Sequence, residues 1–286
     1  MKAHKYMKKI CVIGAGTMGA GIAQVFAVNG YMVVLRDIEQ EFVNKGISII
    51  SKNLSRLASK GKLEEVMIQP ILSRIIGTTD PENAQDCDLV VEAAVENMKI
   101  KKQIFSELDN ICKPSTILAT NTSSLSIAEV ATATKRPDRV IGMHFFNPAP
   151  VMALIEIIKG VATSDETFNA VKALALDLGK QPVQVDEAPG FVVNRILIPM
   201  INEAAAIYAE GVASAEDIDT AMKLGANHPI GPLALGDLVG LDVCLAIMDV
   251  LYEEFKDSKY RATPLLRKYV RAGRLGRKSG KGFFNY

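Results

Sequence analysis

The stretch Lys9-Ile10-Cys11-Val12-Ile13-Gly14-Ala15-Gly16-Thr17-Met18-Gly19 leaves the chain few choices. A short apolar run ends in Gly-x-Gly-x-x-Gly and passes into a segment whose apolar positions, Met18, Ile22, Val25 and Phe26, recur at three- and four-residue spacing. That is a strand, a tight turn and a helix. Gly14 permits the turn, Gly16 lets the backbone approach a pyrophosphate, and Gly19 allows the helix to pack close to the strand. The first helical turn, at Thr17 and Met18, offers amide donors at the positive end of the helix dipole. The loop is built to hold an anion.

A glycine pattern of this kind is common, so its context decides what it means. A second strand-like run, Met32-Val33-Val34-Leu35-Arg36, follows Gly30 and stops at Asp37, eighteen residues beyond Gly19. A carboxylate at that strand tip can accept hydrogen bonds from both hydroxyls of an adenosine ribose and repels a 2′-phosphate, so NAD is expected rather than NADP. Arg36 pulls the other way, because a guanidinium beside the ribose can receive the extra phosphate.

At 286 residues the chain has room for about two domains, and 49% hydrophobic residues suffice for buried cores. Lys plus Arg number 33 against 32 Asp plus Glu, which leaves no global field that draws the protein to nucleic acid or a membrane. Cys11, Cys87, Cys112 and Cys244 lie far apart, with no Cys-x-x-Cys and no histidine at ligand spacing. No metal site and no disulfide framework are expected, and a reducing cytoplasm is the simplest location. No apolar run reaches the length of a membrane span, and residues 1–9 lack the apolar stretch of a signal peptide. Residues 1–6 read as an extension ahead of Met7.

Strand-like runs recur at Arg74-Gly77, Asp88-Val91, Thr116-Ala119, Val140-Met143, Leu154-Ile158 and Pro182-Val185, separated by helical stretches. This alternation predicts an α/β fold: a Rossmann-like, mostly parallel sheet with helices on both faces. Between Glu39 and Leu72 the pattern predicts an inserted hairpin of two helices joined near Gly61. On its first helix Lys52, Arg56 and Lys60 share one face, either as a solvated surface or as a docking stripe for a phosphorylated substrate handle. From Phe191 onward only helices are predicted: Val192-Tyr208, Ala215-Leu224, Asp237-Phe255 and Leu265-Arg271. The domain boundary is placed near Pro189, giving a nucleotide-binding domain at 1–190 and an all-helical C-terminal domain at 191–286. Ile196, Leu197, Met200 and Ile201 form a broad apolar stripe that packs on a second subunit or on its own neighbours.

A dinucleotide site implies hydride transfer, and oxidising an alcohol requires a base that titrates near neutrality. Histidine is the natural choice, and three are present. His4 lies in the extension and His228 precedes Pro229 in a turn-rich segment. His144 ends a predicted strand, where ligands bind in open α/β folds. Glu156 stands among apolar neighbours in Leu154-Ile155-Glu156-Ile157-Ile158, where a charge is costly unless paired. If the chain folds back after Pro148 and Pro150, Glu156 faces His144. It would then fix the imidazole tautomer and stabilise the imidazolium formed during oxidation. Asn121-Thr122-Ser123-Ser124 follows another strand and offers hydroxyls and amides, or helix capping for what comes next.

Taken together, Gly14-x-Gly-x-x-Gly19, Asn121-Thr-Ser-Ser124, His144-Phe-Phe-Asn-Pro148, Pro189-Gly-Phe-Val-Val-Asn-Arg195 and Asn202-Glu-Ala204 resemble the L-3-hydroxyacyl-CoA dehydrogenases, most of all the bacterial 3-hydroxybutyryl-CoA branch. The resemblance runs in the same motif order from about Met7 to Tyr286. It implies reversible NAD-dependent oxidation of a (3S)-hydroxyacyl-CoA thioester to the 3-ketoacyl-CoA by a homodimer. It also implies His144 as catalytic base with Glu156 as its partner, Ser123 on the substrate oxygen and Asn194 on the thioester side. Asp37 matches the ribose acid, Glu96, Lys101 and Asn121 match residues near the nicotinamide, and Lys52, Arg56 and Lys60 fall in the hairpin that clasps CoA.

The chain departs from the family pattern at Ala153, where lysine is common, at Ala234, where glutamate is common, and at Arg274, where tryptophan is frequent. None is an essential catalytic position. Two other readings share the nucleotide loop: a non-catalytic NAD-binding protein and a dehydrogenase of sugar acids. The intact His144, Glu156, Ser123 and Asn194 speak against the first, and the basic hairpin against the second.

Overall fold

A computed structural model describes residues 7–286; the expected extension at residues 1–6 lies outside them. The chain divides after Glu187 into two compact units. The first carries β1 (Lys9–Ile13), α1 (Thr17–Val28), β2 (Met32–Arg36), α2 (Gln40–Ser59), α3 (Ile68–Leu72), β3 (Ile75–Thr78) and β4 (Leu89–Glu92). It continues with α4 (Met98–Ile111), β5 (Ile117–Thr120), α5 (Ile127–Ala131), β6 (Val140–Phe145), β7 (Leu154–Lys159), α6 (Asp165–Asp177) and β8 (Gln181–Asp186).

These strands form one eight-stranded sheet in the order β3-β2-β1-β4-β5-β6-β7-β8. Every neighbouring pair is parallel except β6 and β7. The expectation of a mostly parallel sheet holds, and the exception has a simple cause. Residues 146–153 are too few for a crossover helix, so β7 must return antiparallel to β6. The central strands β4, β5 and β6 are buried along their whole length, which is why they read as continuous apolar runs rather than alternating ones. Ile10, Val12, Phe26, Leu35, Leu89 and Val91 belong to the core that joins the sheet to its helices.

The turn between β1 and α1 is as tight as its glycines suggest. Gly14 adopts φ +95°, and a Cβ on Gly19 would lie 1.7 Å from the Gly14 carbonyl oxygen. No residue but glycine fits there.

The inserted hairpin departs from expectation in its second arm. The first arm, α2, buries Val43, Gly46, Ile50 and Leu54 at helical spacing and ends before Gly61, which takes φ +66°. The helix expected from Leu63 to Leu72 is only a 3₁₀ turn at Glu65–Met67 followed by the short α3. Pro70 is the reason: it cannot donate inside a ten-residue helix, whereas in the first turn of α3 its missing amide costs nothing.

The second unit is helical: α7 (Val193–Ala209), α8 (Ala215–Gly225), α9 (Pro232–Val239), α10 (Leu241–Phe255) and α11 (Pro264–Arg271). The single helix expected over Asp237-Phe255 is in fact α9 and α10, broken at Gly240, whose φ of +104° is incompatible with a helix. The apolar stripe of α7 is divided. Ile201 joins Ile198, Leu241 and Met248 in the unit's core and Leu197 packs against it, whereas Ile196 is 68% exposed. The C-terminal glycines wrap Asp237 of α9, which is buried and accepts hydrogen bonds from the amides of Phe283 and Phe284 and the hydroxyl of Tyr286. Gly276 and Gly282 approach Asp237 so closely that neither tolerates a Cβ. Among the described residues no helix is long and apolar enough to cross a membrane.

Candidate active site

The glycine loop and the tip of β2 form one structure. Gly14 donates its amide to the Arg36 carbonyl at 2.8 Å. Asp37 uses one carboxylate oxygen to accept the Ala15 amide at 2.6 Å and the other to accept its neighbour Ile38 at 2.7 Å. The acid is thereby pinned against the loop. Gly16 is the N-cap of α1 and supplies no side-chain partner to the helix's first amides.

A cavity of about 1160 Å³ opens here, lined among others by Gly14, Gly16, Met18, Asp37, Ile38 and Phe42. A Cβ built on Gly16 meets nothing within 4 Å, so the backbone itself borders the open space. Bare helix amides for a pyrophosphate, a fixed carboxylate for a ribose and apolar side chains beside it fit a nicotinamide dinucleotide. Arg36 also lines this cavity, and its Nε donates to the Thr79 carbonyl at 3.3 Å.

Along the same C-terminal edge of the sheet, His144 of β6 lies in register with Glu156 of β7, and Nδ1 is 2.8 Å from Oε2. Both side chains are buried. A carboxylate only accepts, so the hydrogen of this contact sits on Nδ1, and in the neutral imidazole the lone pair is then on Nε2. Phe146 packs on the imidazole, with ring centroids 4.4 Å apart. Asn121, just beyond β5, accepts the Phe145 amide on its side-chain oxygen at 2.8 Å and so ties the end of β6 to that of β5.

Ser123 and Glu96 are joined as well. One Glu96 oxygen accepts the Ser123 amide at 2.9 Å, the Ser123 hydroxyl at 3.2 Å and the Thr122 hydroxyl at 2.6 Å. The other lies 3.4 Å from the Lys101 ammonium. Burial alone would raise the Glu96 pKa, but Lys101 and the donors from Thr122 and Ser123 outweigh it and hold the carboxyl below its ordinary value. Among the described residues no cluster of His, Cys, Asp and Glu is arranged to hold a metal ion.

Comparison with known proteins shows the family. Residues 9–188 match the 3-hydroxyacyl-CoA dehydrogenase NAD-binding domain, and residues 190–286 match the C-terminal domain of the same family. The chain belongs to the 3-hydroxyacyl-CoA dehydrogenase family. It is 60% identical to a 3-hydroxybutyryl-CoA dehydrogenase of Clostridioides difficile, over 97% of this chain and 99% of that protein. It is 45% identical to the mitochondrial hydroxyacyl-coenzyme A dehydrogenase of Homo sapiens, over 98% and 91%. The crystal structure of (S)-3-hydroxybutyryl-CoA dehydrogenase PaaH1 from Ralstonia eutropha superposes with a TM-score of 0.94 at 53% identity, covering 98% of this chain and 99% of that one. The protein is an NAD-dependent oxidoreductase of this dehydrogenase family.

Within that family frame, the other expected site residues fall in two places. Asn194 lies in the first turn of α7, in the second unit. Lys52 and Arg56 on α2 and Lys60 at its C-cap are exposed along one side of the hairpin. They do not line the cavity, to which α2 contributes Phe42, Lys45 and Ile49 instead. Those cavity residues, with Ile38, were not singled out by sequence; their signal is only proximity to Asp37 and helical spacing from Phe42.

Glu92, the last residue of β4, is also wholly buried. It is a carboxylate closing the apolar run Leu89-Val90-Val91, the same kind of mismatch that marked Glu156. Of the departures from family pattern, Arg274 lays its guanidinium over the Tyr269 ring, 4.7 Å from the centroid. Ala153 and Ala234 act through their backbones, Ala153 accepting from Gln181 and Ala234 donating to Asp219.

Proposed function

We propose that the protein interconverts (3S)-3-hydroxybutyryl-CoA and acetoacetyl-CoA with NAD, His144 serving as general base in oxidation and general acid in reduction. The observation that carries this reading is the buried His144–Glu156 pair, in which imidazole Nδ1 faces the carboxylate at 2.8 Å. Bound NAD supplies the hydride acceptor for the alcohol carbon. In oxidation His144 Nε2 takes the proton of the 3-hydroxyl, and Glu156 stabilises the imidazolium that forms; in reduction the imidazolium returns that proton to the forming alkoxide. Ser123 and Asn194 hold the substrate oxygens in line, so that the proton moves along a preset path.

Asp37 binds the adenosine ribose, while Glu96, Lys101 and Asn121 order the nicotinamide end. Lys52, Arg56 and Lys60 give the CoA phosphates a cationic stripe. The helical domain at 191–286 forms a homodimer, its exposed Ile196 lying on the apolar stripe. A cytoplasmic location is part of this reading, and the four free, buried cysteines suit a reducing compartment.

The test is steady-state oxidation of NADH with acetoacetyl-CoA beside free acetoacetate. Turnover of the thioester, lost on His144→Ala, is expected. Equal turnover of the free acid would remove the CoA stripe from the mechanism, and an active His144→Ala enzyme would remove the base.

A further inference from the structure

We propose that Glu92 is a positioning residue for this reaction, acting on Ser123 through Lys101 and Glu96. It rests on the reading of Ser123 and His144 given above. Glu92 ends β4, between β1 and β5, in register with Ile13 on one side and Thr120 on the other. Its side chain is wholly buried and both oxygens are engaged. Oε1 accepts the Ala94 amide at 2.7 Å and the Lys101 ammonium at 2.8 Å; Oε2 accepts the same ammonium at 2.9 Å and the Thr120 hydroxyl at 2.7 Å. Its carbonyl accepts the Asn121 amide at 2.7 Å.

Stability alone is a poor reason for such a pair. Taking a carboxylate and an ammonium out of water costs about as much as their attraction returns, and apolar replacements of similar volume are often neutral or better. What this pair provides is geometry. Lys101 is 1% exposed and its ammonium bridges Glu92 and Glu96, while Glu96 holds both the amide and the hydroxyl of Ser123. Thr120, Glu92, Lys101, Glu96 and Ser123 are thus one chain of contacts from the sheet to the serine that meets the substrate.

A lysine stem is flexible and is placed by what its ammonium meets. With the charge on Glu92 removed, the whole attraction of Lys101 falls on Glu96 and turns that carboxylate away from Ser123. The tie to Ala94 adds a second effect, because Ala93 and Ala94 form the surface against which Gly14 packs. Glu92 therefore braces the serine and the glycine loop together.

The experiment compares Glu92→Gln, Lys101→Met and the double variant with wild type, using saturating NADH and acetoacetyl-CoA, with thermal melts alongside. Glu92→Gln is expected to lower kcat ~10- to 100-fold, the scale of a misplacement near 1 Å. The double variant should fall no further than Lys101→Met, because both changes cut one chain. A loss in kcat smaller than tenfold for Glu92→Gln, or losses that multiply in the double variant, overturns the proposal. Should Glu92→Gln not fold, Thr120→Val withdraws only the hydroxyl that steadies Oε2. A fall in kcat of threefold or more with KM for the thioester unchanged supports the role, and any smaller fall overturns it. A wild-type enzyme inert toward acetoacetyl-CoA would instead defeat the parent reading. Wild-type turnover abolished by His144→Ala, beside an unimpaired Glu92→Gln, defeats this proposal alone.

Discussion

His144 and Glu156 stand opposite one another in the antiparallel pair β6–β7, Nδ1 2.8 Å from Oε2, and the carboxylate is 1% exposed. The register that aligns them comes from the short return between the strands, so the pair is set by the backbone before any ligand binds. Replacing His144 by alanine is expected to lower turnover by ~10²- to 10⁴-fold, the usual worth of a positioned base. NADH affinity, read by fluorescence titration, should stay within about threefold because the glycine loop and Asp37 lie on other strands. Unchanged turnover would refute the role.

Glu156→Gln tests the partner separately. The amide keeps the shape of the carboxylate but lacks the charge that stabilises the imidazolium, and its NH₂ group can force the wrong tautomer on His144. In Ser-His-Asp enzymes the equivalent change costs about 10⁴ in kcat. A loss of at least ~10² is expected here, with circular dichroism unchanged. Near-normal kcat would reduce Glu156 to a structural residue.

Much of the nucleotide half was legible because it is local. Strand, turn and helix occupy consecutive residues around Gly14, and Asp37, the acid pinned against the loop, follows the next strand. The pairing of His144 with Glu156 was legible because a charge in an apolar strand requires a partner and two prolines offered a return. Glu92 carries the same mark, but its partner, Lys101, lies on a helix where lysines are ordinary, so the sequence does not show the pairing. The break at Gly240 was hidden for a different reason: apolar periodicity continues across it, and only the φ of +104° separates α9 from α10. The second arm of the hairpin is shorter than the Leu63–Leu72 pattern suggests because Pro70 lacks the donor that a continuous helix needs.

Asp37 is expected to decide between the two nicotinamide dinucleotides. Its oxygens brace the loop at Ala15 and would meet ribose hydroxyls as charge-assisted hydrogen bonds, worth ~1.5–3 kcal/mol. Asp37→Ser should raise KM for NADH by ~10- to 100-fold. It should also improve kcat/KM for NADPH, since the repelling charge is gone and Arg36 still lines the cavity. Parallel losses with both dinucleotides in steady-state assays would show that Asp37 only supports the loop.

Two thiols are expected to be inert in the native protein. Burial pushes Cys112 up to about 12, helped by Cys87, and burial pushes Cys244 up to about 12, helped by Asp242 and Asp237. At pH 8 only ~1 in 10⁴ of such thiols is ionised, and the thiolate is the form that alkylates. Iodoacetamide at pH 8 followed by peptide mass spectrometry should leave both unmodified until guanidinium unfolds the chain. Labelling of either in the native protein within minutes would contradict the burial.

Glu96 gives the acid limb of the stability profile a definite sign. Its folded pKa lies below the ordinary value because Lys101, Thr122 and Ser123 favour the carboxylate more strongly than burial opposes it. A group depressed in this way binds protons less readily when folded than when unfolded. Its contribution is present above the unfolded value, ~4.3, and is lost as pH falls through the lower folded one. The side chain is 38% exposed, so solvent screening keeps that contribution to ~1 kcal/mol or less, or ~2–4 °C in a chain of this size. Glu96→Gln removes the titration, so the midpoint of thermal unfolding should fall less steeply between about pH 5 and pH 3 than in wild type. Differential scanning calorimetry across that window reads the two slopes directly. Identical slopes would mean that Glu96 is no more acidic in the folded protein than in the unfolded chain, and that its contacts with Ser123 and Lys101 do not favour its charge.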